Sequence, residues 1–132
     1  MYSLTIPGEP VAKSRPRIGK FGAYTPDKTK NYETLVREMF FAKYHQPMME
    51  GEIRMRLEIY FPIPKSASRK TKTGMREGTI RPAKRPDLDN IIKSISDALN
   101  KVAYVDDSQI VEVQARKYYS DAPRVEIHLE EL

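Results

Sequence analysis

The clearest pattern in the chain is the alternation of apolar and polar residues over positions 52–61. Every second residue from Ile53 to Phe61 is apolar, and the residues between them are charged or polar. This period of two predicts a half-buried β-strand that ends at Pro62. Shorter runs predict three further strands, at 2–6, 109–119 and 123–131. We expect a turn around 120–122 to join the last two.

Two other segments repeat apolar residues every three or four positions, which is the spacing of one face of an α-helix. The first follows the helix-start signal Thr25-Pro26-Asp27 and should end before Pro47. The second covers 88–102. Gly19 and Gly22, between the first strand and the first helix, predict a turn or hairpin with basic and aromatic arms.

Residues 65–85 contain eight Lys and Arg residues, one acid and almost no apolar side chains. Such a segment cannot build a core, so we expect a mobile basic loop. No repeat or internal boundary divides the chain. The predicted fold is therefore of the α/β class in its mixed α+β form: one small domain over 1–132, with two main helices packed on a mixed β-sheet.

Composition narrows the choice of function classes. The chain has no cysteine, which excludes disulfides and thiolate metal sites, and its two histidines are isolated. The net charge of +5 is compatible with a polyanionic partner. A secretory signal and an apolar run of the ~20 residues needed to cross a bilayer are both missing, so we expect a soluble, cytoplasmic protein without a membrane partner.

Acidic residues stand out against this basic background. Asp87 and Asp89 open the second helix, and Asp106-Asp107 follows its end. One acid could cap the helix and Lys93 could form an ion pair with Asp89, but several converging carboxylates would repel one another unless a cation lay among them. Hard oxygen ligands suit Mg²⁺ or Mn²⁺. A calcium-binding EF-hand is excluded because its glycine and its final acid are missing.

The stretch PDLDNIIKSISDALNKVAYVDDSQIV resembles the RusA-type Holliday junction resolvases, endonucleases common in phages and prophages. The resemblance rests on a P-D-x-D-N-x-x-K run at 86–93, a D-A-L helix end at 97–99 and a D-D-x-x-I element at 106–110. The family's N-terminal K-x-R-P-R is also present, at 13–17. The similarity thus covers nearly the whole chain.

This resemblance implies catalytic roles for Asp87, Asp89, Asp107 and Lys93. The three aspartates would be the metal ligands, with Asp106 as the alternative to Asp107, and Asn90 would have a supporting role. The implied cofactor is Mg²⁺, with Mn²⁺ as a substitute. We expect the carboxylates of Asp87, Asp89 and Asp107 to lie within roughly 4–8 Å of one another, as a shared hydrated ion requires.

The basic residues would then contact the phosphates of DNA, although such runs are also typical of solvated loops. The candidates are Lys13, Arg15, Arg17, Lys20, Arg69, Lys70, Lys72, Arg76, Lys84 and Arg85.

The resemblance implies a Mg²⁺-dependent endodeoxyribonuclease that resolves Holliday junctions by paired symmetric nicking in DNA recombination and repair. Because a four-way junction has two-fold symmetry, this activity implies a homodimer. Two alternatives stay open: a non-catalytic basic DNA-binding protein, and a metal-dependent phosphohydrolase acting on nucleotides.

Overall fold

A computed structural model of the protein describes residues 1–14, 17–20, 22–24 and 27–132. In this part of the chain there are six β-strands, three α-helices and a short 3-10 helix at Asp107–Gln109. Their bounds are β1 Tyr2–Pro7, β2 Arg17–Gly19, β3 Gly22–Tyr24, α1 Asp27–Lys43, β4 Ile53–Pro62, α2 Arg69–Glu77, α3 Leu88–Leu99, β5 Ile110–Ser120 and β6 Arg124–Glu131.

Four of these strands form one mixed sheet in the order β1-β6-β4-β5. β6 runs antiparallel to both of its neighbours, whereas β4 and β5 are parallel. A parallel pair needs a long crossover, and α2 and α3 lie in the connection between β4 and β5. β5 therefore forms one outer edge of the sheet, and the turn at 120–122 joins β5 and β6 although β4 lies between them.

The predicted alternation in β4 is confirmed. Ile53, Met55, Leu57 and Ile59 are fully buried, on the face of the sheet that also carries the buried residues of β6. α3 adds its own apolar stripe to this core, with Ile91, Ile95, Ala98 and Leu99 buried. The predicted mixed α+β class is therefore confirmed, and α3 is fixed along its length by the core beneath it.

The predicted hairpin is also confirmed, since β2 and β3 pair antiparallel with Gly19 opposite Gly22. α1 begins at Asp27 and ends before Pro47, as expected. The other two residues of its start signal, Thr25 and Pro26, lie outside the described residues. None of the helices in the described ranges is long and apolar enough to cross a membrane.

Two predictions about the extent of helices are wrong. Residues 65–85 are not a loop throughout, because α2 forms within them: the Ser68 side chain accepts a hydrogen bond from the Thr71 amide at 3.1 Å, and Gly78 ends the helix at φ 83°. The segment lacks an apolar stripe, so α2 is stabilised by these two caps and by the burial of Met75. α3 ends at Leu99 rather than 102, because the backbone of Asn100 is extended, and Lys101 follows with a left-handed φ of 61°.

Candidate active site

The first acidic group lies at the N-terminal end of α3. Asp87 occupies the N-cap position with an extended backbone, but its side chain makes no capping hydrogen bond. Asp89 follows in the first turn, and both side chains are exposed. Within the described ranges, no ion pair within 4.0 Å joins either carboxylate to a basic side chain. Helix capping and ion pairing therefore do not account for these two acids.

An open pocket lies beside these acids. Its lining consists of Arg85, Pro86, Asp87 and Asn90. The backbone of Asn90 is fixed from outside the helix, because its carbonyl accepts a hydrogen bond from the Lys13 amide at 2.9 Å. The predicted supporting residue thus lies in the same pocket as Asp87.

Lys93 lies one turn further along α3 and is 62 % exposed. Its Nζ lies 3.5 Å from Oδ2 of Asp97, which is therefore its ion-pair partner instead of Asp89. Asp97 is shared with Lys13, whose Nζ lies 3.3 Å from Asp97 and 2.5 Å from Glu33. Burial lowers the pKa of Lys13, but Glu33 and Asp97 outweigh burial and raise it. Lys13 is thus engaged with two acids, and its contact with DNA stays a prediction.

The second acidic group lies at the C-terminal end of α3. Asp106 caps the 3-10 helix by accepting a hydrogen bond from the Ser108 amide at 3.1 Å, and the Asp106 amide donates to Oε1 of Gln109 at 2.8 Å. Hydrogen bonds from the Ser108 hydroxyl and amide lower the pKa of Asp106. Asp106 thus has a structural role.

Asp107 differs from its neighbour. Its backbone amide donates to Oδ1 of Asn100 at 3.1 Å, which holds it beside the end of α3. No described group donates a hydrogen bond to its carboxylate. Nearby, burial raises the pKa of Tyr104, and the charges of Asp107, Asp97 and Asp106 raise it further. Of the two candidates, Asp107 has the carboxylate that is open to a ligand.

The two acidic groups are attached at opposite ends of α3. Asn100, which holds Asp107, lies eleven residues beyond Asp89, or about 16 Å along a helix. Among the described residues there is no group of three or more His, Cys, Asp or Glu that could hold a metal. Asp87, Asp89 and Asp107 thus form no such group within the described part of one chain, and their expected separation of roughly 4–8 Å stays a prediction.

The pair Asp87 and Asp89 nevertheless has the chemistry that Mg²⁺ requires. This ion commonly takes one or two protein carboxylates and completes its shell with water and phosphate oxygens. Both side chains are exposed beside an open pocket, so water and a phosphate could reach them.

Lys117 is a residue of this region that the sequence patterns did not identify. It pairs with Ile59 of β4 and therefore lies on the apolar face of β5. Its Nζ donates to the carbonyl oxygens of Lys84 at 2.7 Å and Pro86 at 3.0 Å. Burial lowers the pKa of Lys117, and the positive charge of Lys84 lowers it further. The negative charge of Asp87 acts in the opposite direction but does not cancel the effect of burial. A lysine at an apolar position of an alternating strand is the signal that could have revealed it.

A second contact fixes the same segment on the opposite face of β5. Nε of Arg81 donates to the Lys117 carbonyl at 2.9 Å, and its guanidinium lies 4.6 Å from the ring centroid of Tyr118. Tyr118 stacks on Tyr60 with centroids 5.5 Å apart, and Arg124 covers Tyr60 at 3.9 Å. Residues 81–86 thus pass around the outer edge of β5, with one contact on each face.

The predicted DNA-binding residues differ in their exposure and in their ion pairs. Exposed side chains are found at Lys20, Arg69, Lys70, Lys84 and Arg85, while Lys72 is half-buried.

Ion pairs occupy two further candidates: Lys13, as described above, and Arg76, whose Nε lies 2.7 Å from Asp121. Arg15 lies outside the described residues, and of Arg17 only the backbone, in β2, is described. We call the exposed cations Arg69 and Lys70 of α2, together with Lys84 and Arg85 just before α3, the basic surface.

Comparison with known proteins defines the class of this fold and site. The family model described as Endodeoxyribonuclease RusA matches residues 7–130, so the chain belongs to the RusA family of endodeoxyribonucleases.

Two relatives extend this comparison. The chain is 40 % identical to the uncharacterized protein YqaN of Bacillus subtilis (strain 168) over 137 aligned positions, which cover 98 % of this chain and 95 % of the relative. It is 45 % identical to the crossover junction endodeoxyribonuclease rusA of Lactococcus phage r1t over 49 positions, covering 36 % and 37 % of the two chains.

Proposed function

We propose that the protein is a Mg²⁺-dependent endodeoxyribonuclease that resolves Holliday junctions by paired symmetric nicking in DNA recombination and repair, with Mn²⁺ able to replace Mg²⁺. One observation carries this proposal: in a chain of the RusA family, Asp87 and Asp89 are exposed and make neither a capping hydrogen bond nor an ion pair with a described residue. Unpaired acids in a basic protein are costly to keep beside a polyanion unless a cation joins them.

The residues of α3 divide the work of phosphodiester hydrolysis. Asp87 and Asp89 would hold the ion, which when bound supplies Lewis-acid polarisation of the phosphate and an activated water. Lys93, on the exposed side of the same helix, would stabilise the negative charge that develops on the phosphate oxygens. Asn90 would position the phosphate or the water from within the pocket.

The basic surface would bind the arms of the junction. Arg69 and Lys70 are exposed on α2, and Lys84 and Arg85 are separated from the acidic pair only by Pro86. Contacts of these side chains with phosphates would offset the repulsion between DNA and the carboxylates. Such contacts fix the position of the duplex without reading its sequence.

A cleavage assay on three substrates tests this function. Purified protein is incubated with a synthetic four-way junction, a linear duplex of the same sequence and free nucleotides, each with Mg²⁺, Mn²⁺ or EDTA. We expect paired nicks in the junction alone, and only with a metal. Junction binding without cleavage in any metal would favour a DNA-binding protein, and hydrolysis of nucleotides alone would favour a phosphohydrolase.

We further propose that the active form is a homodimer in which two copies meet along the edge strand β5. No described strand pairs with the outer edge of β5. Arg81 occupies the Lys117 carbonyl near the end of this edge, and the part before it carries two exposed valines, Val111 at 56 % and Val113 at 43 % exposure. Natural proteins seldom leave an apolar strand edge uncovered. A second copy of β5 would provide both backbone partners and apolar cover.

Antiparallel pairing of two β5 strands would also bring the separated acids together. Asp107 precedes the start of β5, and Lys117, whose charge interacts with Asp87, lies near its end. Antiparallel pairing places the start of one strand beside the end of the other. Asp107 of one copy would then approach Asp87 and Asp89 of the second, completing the metal site across the two-fold axis.

A charge placed on the edge tests the dimer. Val113→Glu should shift sedimentation from dimer to monomer and abolish junction cleavage, because an unpaired charge would be buried in the contact. Val105→Glu is the matched control, since Val105 is equally exposed at 43 % but lies outside β5. Sedimentation of the wild-type protein as a monomer at assay concentrations would exclude the dimer without affecting the assignment of the acids.

A further inference from the structure

We propose that Lys117 is a positioning residue of the active site, which fixes the backbone that carries Asp87. The proposal rests on the nuclease function proposed above for its consequence in catalysis, but its structural part stands on the contacts of Lys117 alone. Neither the family motifs nor the charge pattern of the sequence assigns this residue a role.

The contacts of Lys117 are directed at one short segment. Its Nζ donates to two carbonyl oxygens of that segment, those of Lys84 and Pro86, 2.7 and 3.0 Å away. The Pro86 carbonyl belongs to the peptide that joins Pro86 to Asp87. A hydrogen bond to this carbonyl therefore restrains the peptide plane from which the Asp87 backbone departs.

The position of Lys117 explains why these contacts are firm. It lies opposite Ile59, on the buried face of β5, and its Nζ is 5.4 Å from the ring centroid of Phe61. A half-buried ammonium group must have hydrogen-bond partners, and two backbone carbonyls supply them. The same contacts satisfy two carbonyls of a segment that forms no strand or helix.

No described residue gives the Asp87 side chain a hydrogen bond or an ion pair. It makes no capping hydrogen bond, so its place is set by its backbone and by the charge of Lys117. The first hydrogen bond of α3 runs from the Ile91 amide to the Asp87 carbonyl and is long, at 3.3 Å. Lys117 thus restrains the backbone at Asp87, the N-cap residue of α3. Arg81 attaches the same segment to the Lys117 carbonyl from the other face of β5.

This role differs from contact with DNA. A lysine that only neutralises phosphate would be replaceable without effect on the protein alone, whereas a positioning lysine affects the free protein. Partners of this kind around a metal site typically contribute about 10- to 100-fold to metal affinity or activity. The test must therefore measure the metal-free protein as well as cleavage.

The experiment compares Lys117→Met with Lys117→Arg and Arg116→Met. Methionine keeps an unbranched apolar chain for the buried face but removes every donor. Arginine keeps the charge and the donors. Arg116 is the adjacent cation of β5 but points to the opposite face of the sheet, so its replacement controls for loss of charge on the strand.

Two readouts are taken. In the metal-free protein, hydrogen exchange of the Ile91 amide, resolved by NMR, should be faster in Lys117→Met than in wild type, while the Ile95 amide in the middle of α3 is unchanged. Mg²⁺-dependent junction cleavage should fall by about 10- to 100-fold and recover partly at high Mg²⁺. Lys117→Arg should restore both readouts in part, and Arg116→Met should match wild type.

Unchanged exchange at Ile91 in Lys117→Met would overturn the proposal, even if cleavage fell, because Lys117 would then act on the DNA. Faster exchange with undiminished cleavage would overturn its catalytic part. A wild-type protein that cleaves no junction would defeat the nuclease function, and the exchange measurement would still decide whether Lys117 holds the Asp87 backbone.

Discussion

The two ends of α3 carry acids in opposite circumstances. At the N-terminal end, Asp87 and Asp89 are exposed and lack capping bonds and ion pairs in the described structure. At the C-terminal end, Asp97 pairs with two lysines and Asp106 caps a 3-10 helix. Acids that stabilise the fold are thus held by partners, and acids left without partners are those expected to meet a ligand.

Asp107 combines features of both groups of acids. Its backbone amide is held by Asn100, whereas its carboxylate accepts no hydrogen bond from a described residue. This combination suits a residue that is placed firmly and offered to a partner. The structure distinguishes Asp107 from Asp106. The sequence could not, because the two aspartates are adjacent and have identical side chains. The contrast leads to predictions of decreasing size.

The largest effect is expected at the N-terminal end of α3. Asp89→Asn should lower Mg²⁺-dependent junction cleavage by more than about 1,000-fold, the scale of removing a group on which the chemical step depends. The exposed side chain contributes little to the fold, so the free energy of unfolding should change by no more than about 1 kcal/mol. Cleavage time courses and thermal unfolding check the two parts, and junction binding in EDTA should be kept or improved.

A smaller loss is expected at Lys93, between the two ends. Lys93→Met should reduce cleavage by about 100-fold, as removal of a group that stabilises transition-state charge does, with KM for the junction nearly unchanged. Lys93→Arg should recover part of the loss. A change in KM alone would show that Lys93 only binds DNA, and would remove it from the chemical step.

A much smaller loss should follow Asp97→Asn. The ion pair of Lys93 with Asp97 is a helical i, i+4 pair with an exposed lysine, worth about 0.3–0.5 kcal/mol. Lys93 keeps its charge without this pair, so the cleavage rate of the Asp97→Asn protein should fall only about twofold. Steady-state rates at saturating Mg²⁺ measure this change, and a loss as large as that of Lys93→Met would mean that Asp97 itself takes part in the reaction.

The smallest effect on cleavage is expected for Asp106→Asn, which should cut junctions as the wild type does. It should instead lower the thermal stability at neutral pH. Because hydrogen bonding from Ser108 lowers the pKa of Asp106 below its ordinary 3.8, its contribution is present above pH 3.8 and is lost as the pH falls through the folded value. Unfolding curves of both proteins should therefore converge in acid, and a loss of cleavage at neutral pH would make Asp106 a ligand.

Much of the fold could be predicted from periodicity. β4 and α3 have strong apolar patterns, which the core then satisfies. α2 was missed because only Met75 is buried in it, so no apolar stripe marks it. Its signals were local: a capping serine before it and a left-handed glycine after it.

The site was predictable only in part. The motif identified the acids, but not that Asn100 would attach Asp107 to the C-terminal end of α3. The position of Lys117 on the apolar face of β5 could have marked it as unusual, but its contacts depend on the path of residues 81–86 around the edge of β5, which the sequence does not reveal. Local spacing in the sequence thus does not identify residues whose role depends on contacts with distant parts of the chain.

The most direct test of the account asks whether the acids from the two ends of α3 work together across a dimer. Asp89→Asn and Asp107→Asn chains are co-expressed with different tags, and the mixed dimer is purified and given a four-way junction with Mg²⁺. Each variant alone should be inactive. In the mixed dimer, one site would contain both substitutions and the other none, so we predict restored nicking of one strand per junction without paired resolution. An inactive mixed dimer would contradict the account, because it would place all the essential acids of each site within one chain.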